Sequence, residues 1–229
     1  MKKANTIKKV IKSVGTAVLS QVPVVSGIVA LFEKYASLSW EERVEKTQKI
    51  ILEKVFQQDQ EFEERMRSKT NFASILGTVY HSAVTDVEEG KVPLYANALI
   101  NAINDESLEN AKVHIFLNFL RDFSILHIEV LRYFSSRHAE TYSIQQHMNS
   151  FHIRSQEDVM LDIIRQGNPS IAQDKYLLNT VMNDLHTKGL LRFSSLSDLH
   201  RLGLSINQTI TTQLGNEFLE FIKDNSENK

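Results

Sequence analysis

The stretch YLLNTVMNDLHTKGLLRF, residues 176–193, decides how the second half of the chain is read. Leu177, Leu178, Val181, Met182 and Leu185 recur at helical spacing, so Asp174 to Lys188 reads as a helix with those five side chains inward. Gly189 ends it, because glycine takes a left-handed helix end without a Cβ penalty. Leu190 to Ser194 is strand-like, and Ser205 to Thr212 alternates like a returning strand. Gly215 to Asp224 closes the chain as a helix.

Working backwards, Gln156 to Gln166 reads as a helix that stops before Gly167-Asn168-Pro169. Ser143 to Asn149 is a short helix, and His127 to Arg137 (HIEVLRYFSSR) a longer one. Helices followed by a β-hairpin are the order of a winged-helix module, expected over residues 122–229. Its recognition helix would expose Asn179, Thr180, Asn183, Asp184, His186 and Thr187, with Lys175 and Lys188 at its ends. A helix that reads DNA exposes Arg or Lys for phosphates and guanine edges, and this one carries no Arg. The surface suits a structural or protein-contacting wing better. Candidate contacts to a protein partner or to DNA are Lys175, Asn179, Thr180, Asn183, His186, Thr187, Lys188, Arg192 and Arg201.

The first half, residues 1–121, reads as an antiparallel helical bundle, so the fold class is mainly all-α with one small β-hairpin near the C-terminus. Ser39 with Glu42 forms a capping box. From Trp40 to Lys69 there is neither Gly nor Pro, and Trp40, Val44, Thr47, Ile51, Val55, Gln58, Phe62 and Met66 form one stripe. That pattern predicts a single helix roughly 45 Å long. A coiled-coil dimer on this stripe would have to tolerate Thr47 and Gln58 in its seam. Asn71 caps the next helix, with Phe72, Ile75, Leu76, Val79, Tyr80, Ala83 and Val87 inward and Gly90 as its left-handed stop. Pro93 opens a helix to Asn104, and Ser107 caps one reaching Phe123 with Val113, Phe116, Leu117 and Leu120 inward.

Ahead of the bundle, Ser13 to Phe32 (SVGTAVLSQVPVVSGIVALF) has no charge and follows Lys2, Lys3, Lys8, Lys9 and Lys12. Its many small and polar residues and the central Pro23 argue against a stable span, which needs about 20 predominantly apolar residues. No A-x-A cleavage site follows it, against a signal peptide. Two short helices meeting at Gln21-Val22-Pro23 and packing as a buried hairpin fit better. The five lysines are the candidate contacts to an anionic membrane surface or a partner.

Composition narrows the chemistry. The chain has 229 residues, 42% hydrophobic and 24% charged, with only eight Gly and three Pro, which favours long helices around a buried core. The 16 basic and 15 acidic residues of 1–121 leave +1, and the 10 and 13 of 122–229 leave −3, so neither half is a basic domain. Without cysteine, disulfides, thiolate zinc sites and cysteine nucleophiles are excluded. The same absence agrees with a cytoplasmic location, at most peripheral to the inner face of the membrane. The eight histidines follow no metal-ligand spacing, and no phosphate-binding glycine loop or nucleophile elbow occurs. Adjacent pairs such as Glu41-Glu42, Glu63-Glu64 and Glu88-Glu89 diverge on helices, unlike acid/base dyads. No catalytic residue, cofactor or metal site is expected.

Three stretches resemble the Abi-alpha family of bacterial proteins, linked by name to abortive infection by phage. They are LYANALINAI (Leu94 to Ile103), FSILHIEVL (Phe123 to Leu131), and LSDLHRLGL (Leu196 to Leu204) with ITTQLGNEF (Ile210 to Phe218) behind it. The resemblance spans roughly residues 90–222 and rests on leucine spacing and turn glycines. It implies a bacterial, phage-defence setting and brings no catalytic residues. Three functions stand beside one another: a non-enzymatic protein acting by protein contact, a winged-helix DNA-binding regulator, and an effector that permeabilises membranes on a trigger. Homo-oligomerisation is compatible with each.

Overall fold

Pro93 stands in the first turn of a helix, where its missing N–H costs nothing, and that helix is the hub of the first half of the chain. The computed structural model describes residues 41–58, 60–105, 107–135, 155–201 and 210–225. Among these residues there are ten α-helices, one short 3-10 turn and no strand, so the protein is mainly all-α. Residues 1–40, with the Ser13–Phe32 hairpin, the lysines and the Ser39 cap, lie outside the described residues, as does the Ser143–Asn149 helix. No helix among the described residues is long and apolar enough to cross a membrane. The chain divides into two compact units, residues 41–117 with 224–225, and residues 118–223.

In the first unit, α1 (Glu41–Phe56) and α2 (Gln60–Ser68) stand where the sequence predicts one continuous helix. The break comes from Gln58. Its backbone N–H reaches the Val55 carbonyl at 3.1 Å, and its side-chain amide donates to the Lys54 carbonyl at 3.2 Å. The tightened turn and the glutamine cap together satisfy carbonyls that the next helical turn would have used. The stripe survives the break. Val44, Thr47, Ile51, Val55, Phe62 and Met66 are all buried. The seam available for a coiled coil is thus covered within the unit, where α1 packs on α3 (Phe72–Thr85) and on α4 (Val92–Asn104).

Helix α3 buries Ile75, Leu76, Val79, Tyr80 and Ala83 as its pattern predicts, but two expectations at its ends fail. Asn71 makes no side-chain cap; its amide donates to Asn110 Oδ1 at 2.6 Å. At the other end the helix stops at Thr85, Asp86 turns extended (φ −65°, ψ 132°), and Val87 points outward, 89% exposed. Gly90 is not left-handed; it sits in the 3-10 turn Glu89–Lys91. The stop is made by Asp86, whose carboxylate is drawn to the following turn and to α4. Helix α5 (Asn110–Asp122) likewise starts later than Ser107, because Asp105 Oδ1 already accepts from the Ser107 N–H (2.9 Å) and hydroxyl (2.6 Å). Its Val113, Phe116, Leu117 and Leu120 are buried as expected.

In the second unit, α6 (Ile125–Ser135) packs on α8 (Lys175–Thr187) and on α10 (Gln213–Phe221), while α7 (Gln156–Gly167) packs on α9 (Leu196–Arg201). Phe119, Phe123 and Phe218 meet edge-on or stacked within 5.6–6.1 Å, and Phe134 meets Phe193 edge-on at 5.1 Å. Such aromatic pairs add about 0.5–1.5 kcal/mol each beyond their buried area. Helix α9 falls where the sequence suggests a loop. Ser195 Oγ accepts from the Asp198 N–H at 3.2 Å and nucleates it.

Gly189 is left-handed (φ 77°), as its position after α8 predicts. Beyond it Leu191 forms one antiparallel bridge with Thr211, flanked by Arg192 N–H to Ile210 O (3.1 Å) and Thr212 N–H to Leu190 O (3.0 Å). Residues 202–209 of the expected hairpin lie outside the described residues. Thr212 then caps α10 by accepting from the Gly215 N–H (3.0 Å) and donates back to the Gly189 carbonyl at 2.7 Å.

Candidate functional site

Helix α8 carries six of the nine residues singled out as contacts to a protein partner or DNA, so its two faces decide what it can touch. Asp174 caps it, accepting from the Tyr176 and Leu177 N–H groups at 2.8 and 3.1 Å. Leu178, Val181, Met182 and Leu185 are buried. Leu177 is not; it is half exposed, and Tyr176 beside it is 82% exposed. The expectation that Leu177 faces inward is therefore corrected. Four inward residues fill the space against α6, and position 177 is one residue off their stripe.

The candidate polar contacts divide into held and free groups. Lys175 is held, with Nζ 2.9 Å from both Glu157 Oε2 and Asp158 Oδ1 of α7. The hydrogen bond from Lys175, then one from Ser197 (3.0 Å), pulls the Glu157 carboxyl below its ordinary value against the opposing cost of burial. The same pairing, Glu157 first and Asp158 second, holds the Lys175 ammonium above its ordinary value. Asn179 is also occupied, its Oδ1 accepting from the Leu196 N–H at 2.9 Å. His186 Nδ1 lies 3.1 Å from the Leu191 carbonyl, so that nitrogen carries the proton and donates. Thr180 returns its hydroxyl to the Tyr176 carbonyl at 3.0 Å and is exposed, as are Asn183, Thr187 and Lys188. The Arg192 side chain is exposed beside the Leu191–Thr211 bridge. Arg201 ends α9, and its side chain, like Lys2, Lys3, Lys8, Lys9 and Lys12, lies outside the described residues.

What α8 presents outward is an aromatic ring and a leucine, Tyr176 and Leu177, the uncharged polar Thr180, Asn183 and Thr187, and Asp184 and His186. Lys188 follows only at its C-terminal end. The exposure of Tyr176 and Leu177 is not evident from periodicity. A cue was present in the doublet Leu177-Leu178, only one of which can sit at the centre of a helical stripe.

The structure also assembles Ser124, His127 and Asp184, residue types used in nucleophilic catalysis, from α6 and α8. Ser124 Oγ is 2.7 Å from His127 Nδ1, and His127 Nε2 is 3.5 Å from Asp184 Oδ2. The Ser124 backbone N–H also donates to Nδ1, at 3.2 Å. The bond from the Ser124 N–H is the half of a capping box in which the third helical residue reaches back, with histidine in the glutamate role. In one arrangement of hydrolytic serine the residue's own N–H is offered to the developing oxyanion, whereas here the imidazole takes it. Asp184 lies at the limit of hydrogen-bonding distance and is half exposed, a weak orienting group. Among the described residues no group of three or more His, Asp or Glu side chains is placed to hold a metal ion.

Comparison with protein-family models, with curated proteins and with solved structures finds no match to this chain.

Proposed function

We propose that this is a non-enzymatic bacterial protein that acts by protein contact in phage defence, with the outward face of α8 as a contact surface. One observation carries the reading. The helix exposes Tyr176 and Leu177 ahead of Thr180 and Asn183, while the lysine at its N-terminal end is tied to two carboxylates. An aromatic anchor among polar groups that include the Asp184 carboxylate favours a protein partner, since tyrosine contributes large contact area at small entropic cost. Nucleic-acid affinity instead needs free cations to neutralise phosphates. The phage-defence setting rests on the resemblance to the Abi-alpha family.

We read the second unit as a winged-helix-like module. In support of that, α6, α7 and α8 precede the Gly189 turn, and the Leu191–Thr211 bridge lies where a wing would begin.

Affinity purification of the full chain from infected and uninfected cells tests the reading. A Tyr176→Ala/Leu177→Ala variant is expected to keep the parent Tm and to lose both the captured protein and phage protection. A variant that captures and protects like the parent overturns it. Duplex DNA binding that falls steeply with salt in a gel shift would turn the reading to a DNA-binding regulator.

A further inference from the structure

Histidine is the side chain whose ordinary pKa, about 6.5, puts its change of charge between about pH 5 and about pH 8. His127 stands in the first turn of α6, three residues after Ser124, with 14% of its side chain exposed. Its ring stacks on Phe123, the centroids 5.1 Å apart and the planes within 9°. The two ring nitrogens then face different elements. Nδ1 is turned back to Ser124, 3.2 Å from the backbone nitrogen and 2.7 Å from Oγ. Nε2 is turned across to α8, 3.5 Å from Asp184 Oδ2.

A backbone N–H can only donate, so Nδ1 presents its lone pair to Ser124 and the neutral ring carries its hydrogen on Nε2. Protonation puts a second hydrogen on Nδ1. The Ser124 hydroxyl can rotate to accept it, but the Ser124 N–H cannot, and loses this acceptor. The new charge also meets the positive end of the α6 dipole in a largely covered position. Asp184 opposes these effects, yet it is half exposed and its attraction is screened. Of the other charged groups nearby, Arg121 and Asp122 pair with each other ahead of α6. On α6 itself Glu129 and Arg132, two and five residues on, lie off the His127 face. On α10 Glu217 accepts from the Gln213 amide and Glu220 from Lys223, while Lys188 is exposed one turn beyond Asp184.

We infer that His127 is a proton-operated latch on the start of α6: the neutral ring holds the Ser124 N–H, and the protonated ring releases it and is drawn instead to Asp184 of α8. The first turn of α6 is thus closed in neutral and basic solution and open in mild acid. Because the proton weakens the folded contact, its stabilisation is full above the ordinary histidine value and is lost as pH falls below it. The inference does not rest on the contact surface proposed for α8.

Ring 15N and backbone amide spectra of the full chain, followed from about pH 8 to about pH 5, test it. At the basic end Nδ1 of His127 should give the signal of an unprotonated nitrogen and Nε2 that of a protonated one. The ring should titrate below the ordinary value of about 6.5, and the Ser124 amide should move with the same midpoint. Asp184→Asn should lower that midpoint further. His127→Gln keeps an acceptor where capping boxes carry Glu or Gln, and does not titrate. Its Tm should match the parent's at about pH 8 and fall by about 2–4 °C less between about pH 7 and about pH 5.5. A hydrogen on Nδ1 at the basic end, a midpoint at or above about 6.5, or a Ser124 amide indifferent to the titration overturns the inference. So do parallel Tm curves for parent and His127→Gln, or an Asp184→Asn midpoint equal to the parent's. Should His127→Gln not fold, the spectra of the parent still decide.

Discussion

A methyl group added at Gly215 would lie 2.5 Å from the Leu190 carbonyl and 2.6 Å from Thr211 Cγ2, both fixed by the bridge between Leu191 and Thr211. Backbone cannot give way as a flexible side chain can, so Gly215→Ala should cost about 1–3 kcal/mol, the usual range for overpacking, read as a fall in Tm. The opposite sign is expected at Thr47. Its Oγ1 is buried with no hydrogen-bond partner among the described residues. Thr47→Val removes an unsatisfied hydroxyl without changing shape, and a gain of about 1 kcal/mol in chemical denaturation is the expected result. A third residue responds to pH. Because the Glu157 carboxyl is pulled below its ordinary value of 4.5, its pairing stabilises the fold fully above that pH and is lost as acid protonates it. Lys175 is raised from 10.5, so its share is full below that value and fades only in stronger base. Between the two the pair gives no pH dependence. Glu157→Gln should flatten the loss of Tm on acidification below pH 4.5; an unchanged acid limb would show that this pair does not contribute to it. None of these three effects is legible in the sequence, because each depends on a neighbour at least four residues away in the chain.

At the scale of elements, apolar spacing is a reliable guide wherever one face alone is buried. The stripes of α1, α2 and α5 are all inward as read, and Asp174 and Ser155 cap α8 and α7. Errors fall where a polar side chain competes with the helix for its own backbone. Gln58 divides a helix that contains no glycine or proline, Asp86 ends α3 early, and Asp105 delays α5. Ser195 errs the other way and starts α9 within an apparent loop. The outward face of α8 is half legible: its lack of arginine is plain in the sequence, whereas the outward placement of Tyr176 and Leu177, and the capture of Lys175 and Asn179 by neighbours, are not. Thr212 concentrates several of these local roles. It caps α10 through Gly215, and its hydroxyl donates to the carbonyl of the left-handed Gly189. Thr212→Val keeps the shape and loses both bonds, so a loss of about 1–2 kcal/mol is expected. A change under a few tenths of a kcal/mol would mean that neither bond supports the end of α10.

At the scale of the molecule, residues 224–225 belong with the first unit although they follow the last helix of the second. Asp224 pairs with Lys54 of α1, across 170 positions of sequence, and Asn225 donates to Asn101 Oδ1 of α4 at 3.0 Å. Such pairings leave no periodic trace, since a lone Asp-Asn at a polar terminus reads as solvated chain. Partly exposed ion pairs contribute about 0–1 kcal/mol, so ending the chain at Lys223 should lower Tm by no more than about 4 °C. The size of that fall is less informative than its coupling. Lys54 is mostly covered, and its charge has Asp224 as the partner seen in the structure. If the tail matters through this pair, Lys54→Met should cost less in the shortened chain than in the full one, and the two changes together should cost less than their sum. Strictly additive losses would mean that the terminus acts on the first unit by some route other than Lys54, of which the bond from Asn225 to Asn101 is one.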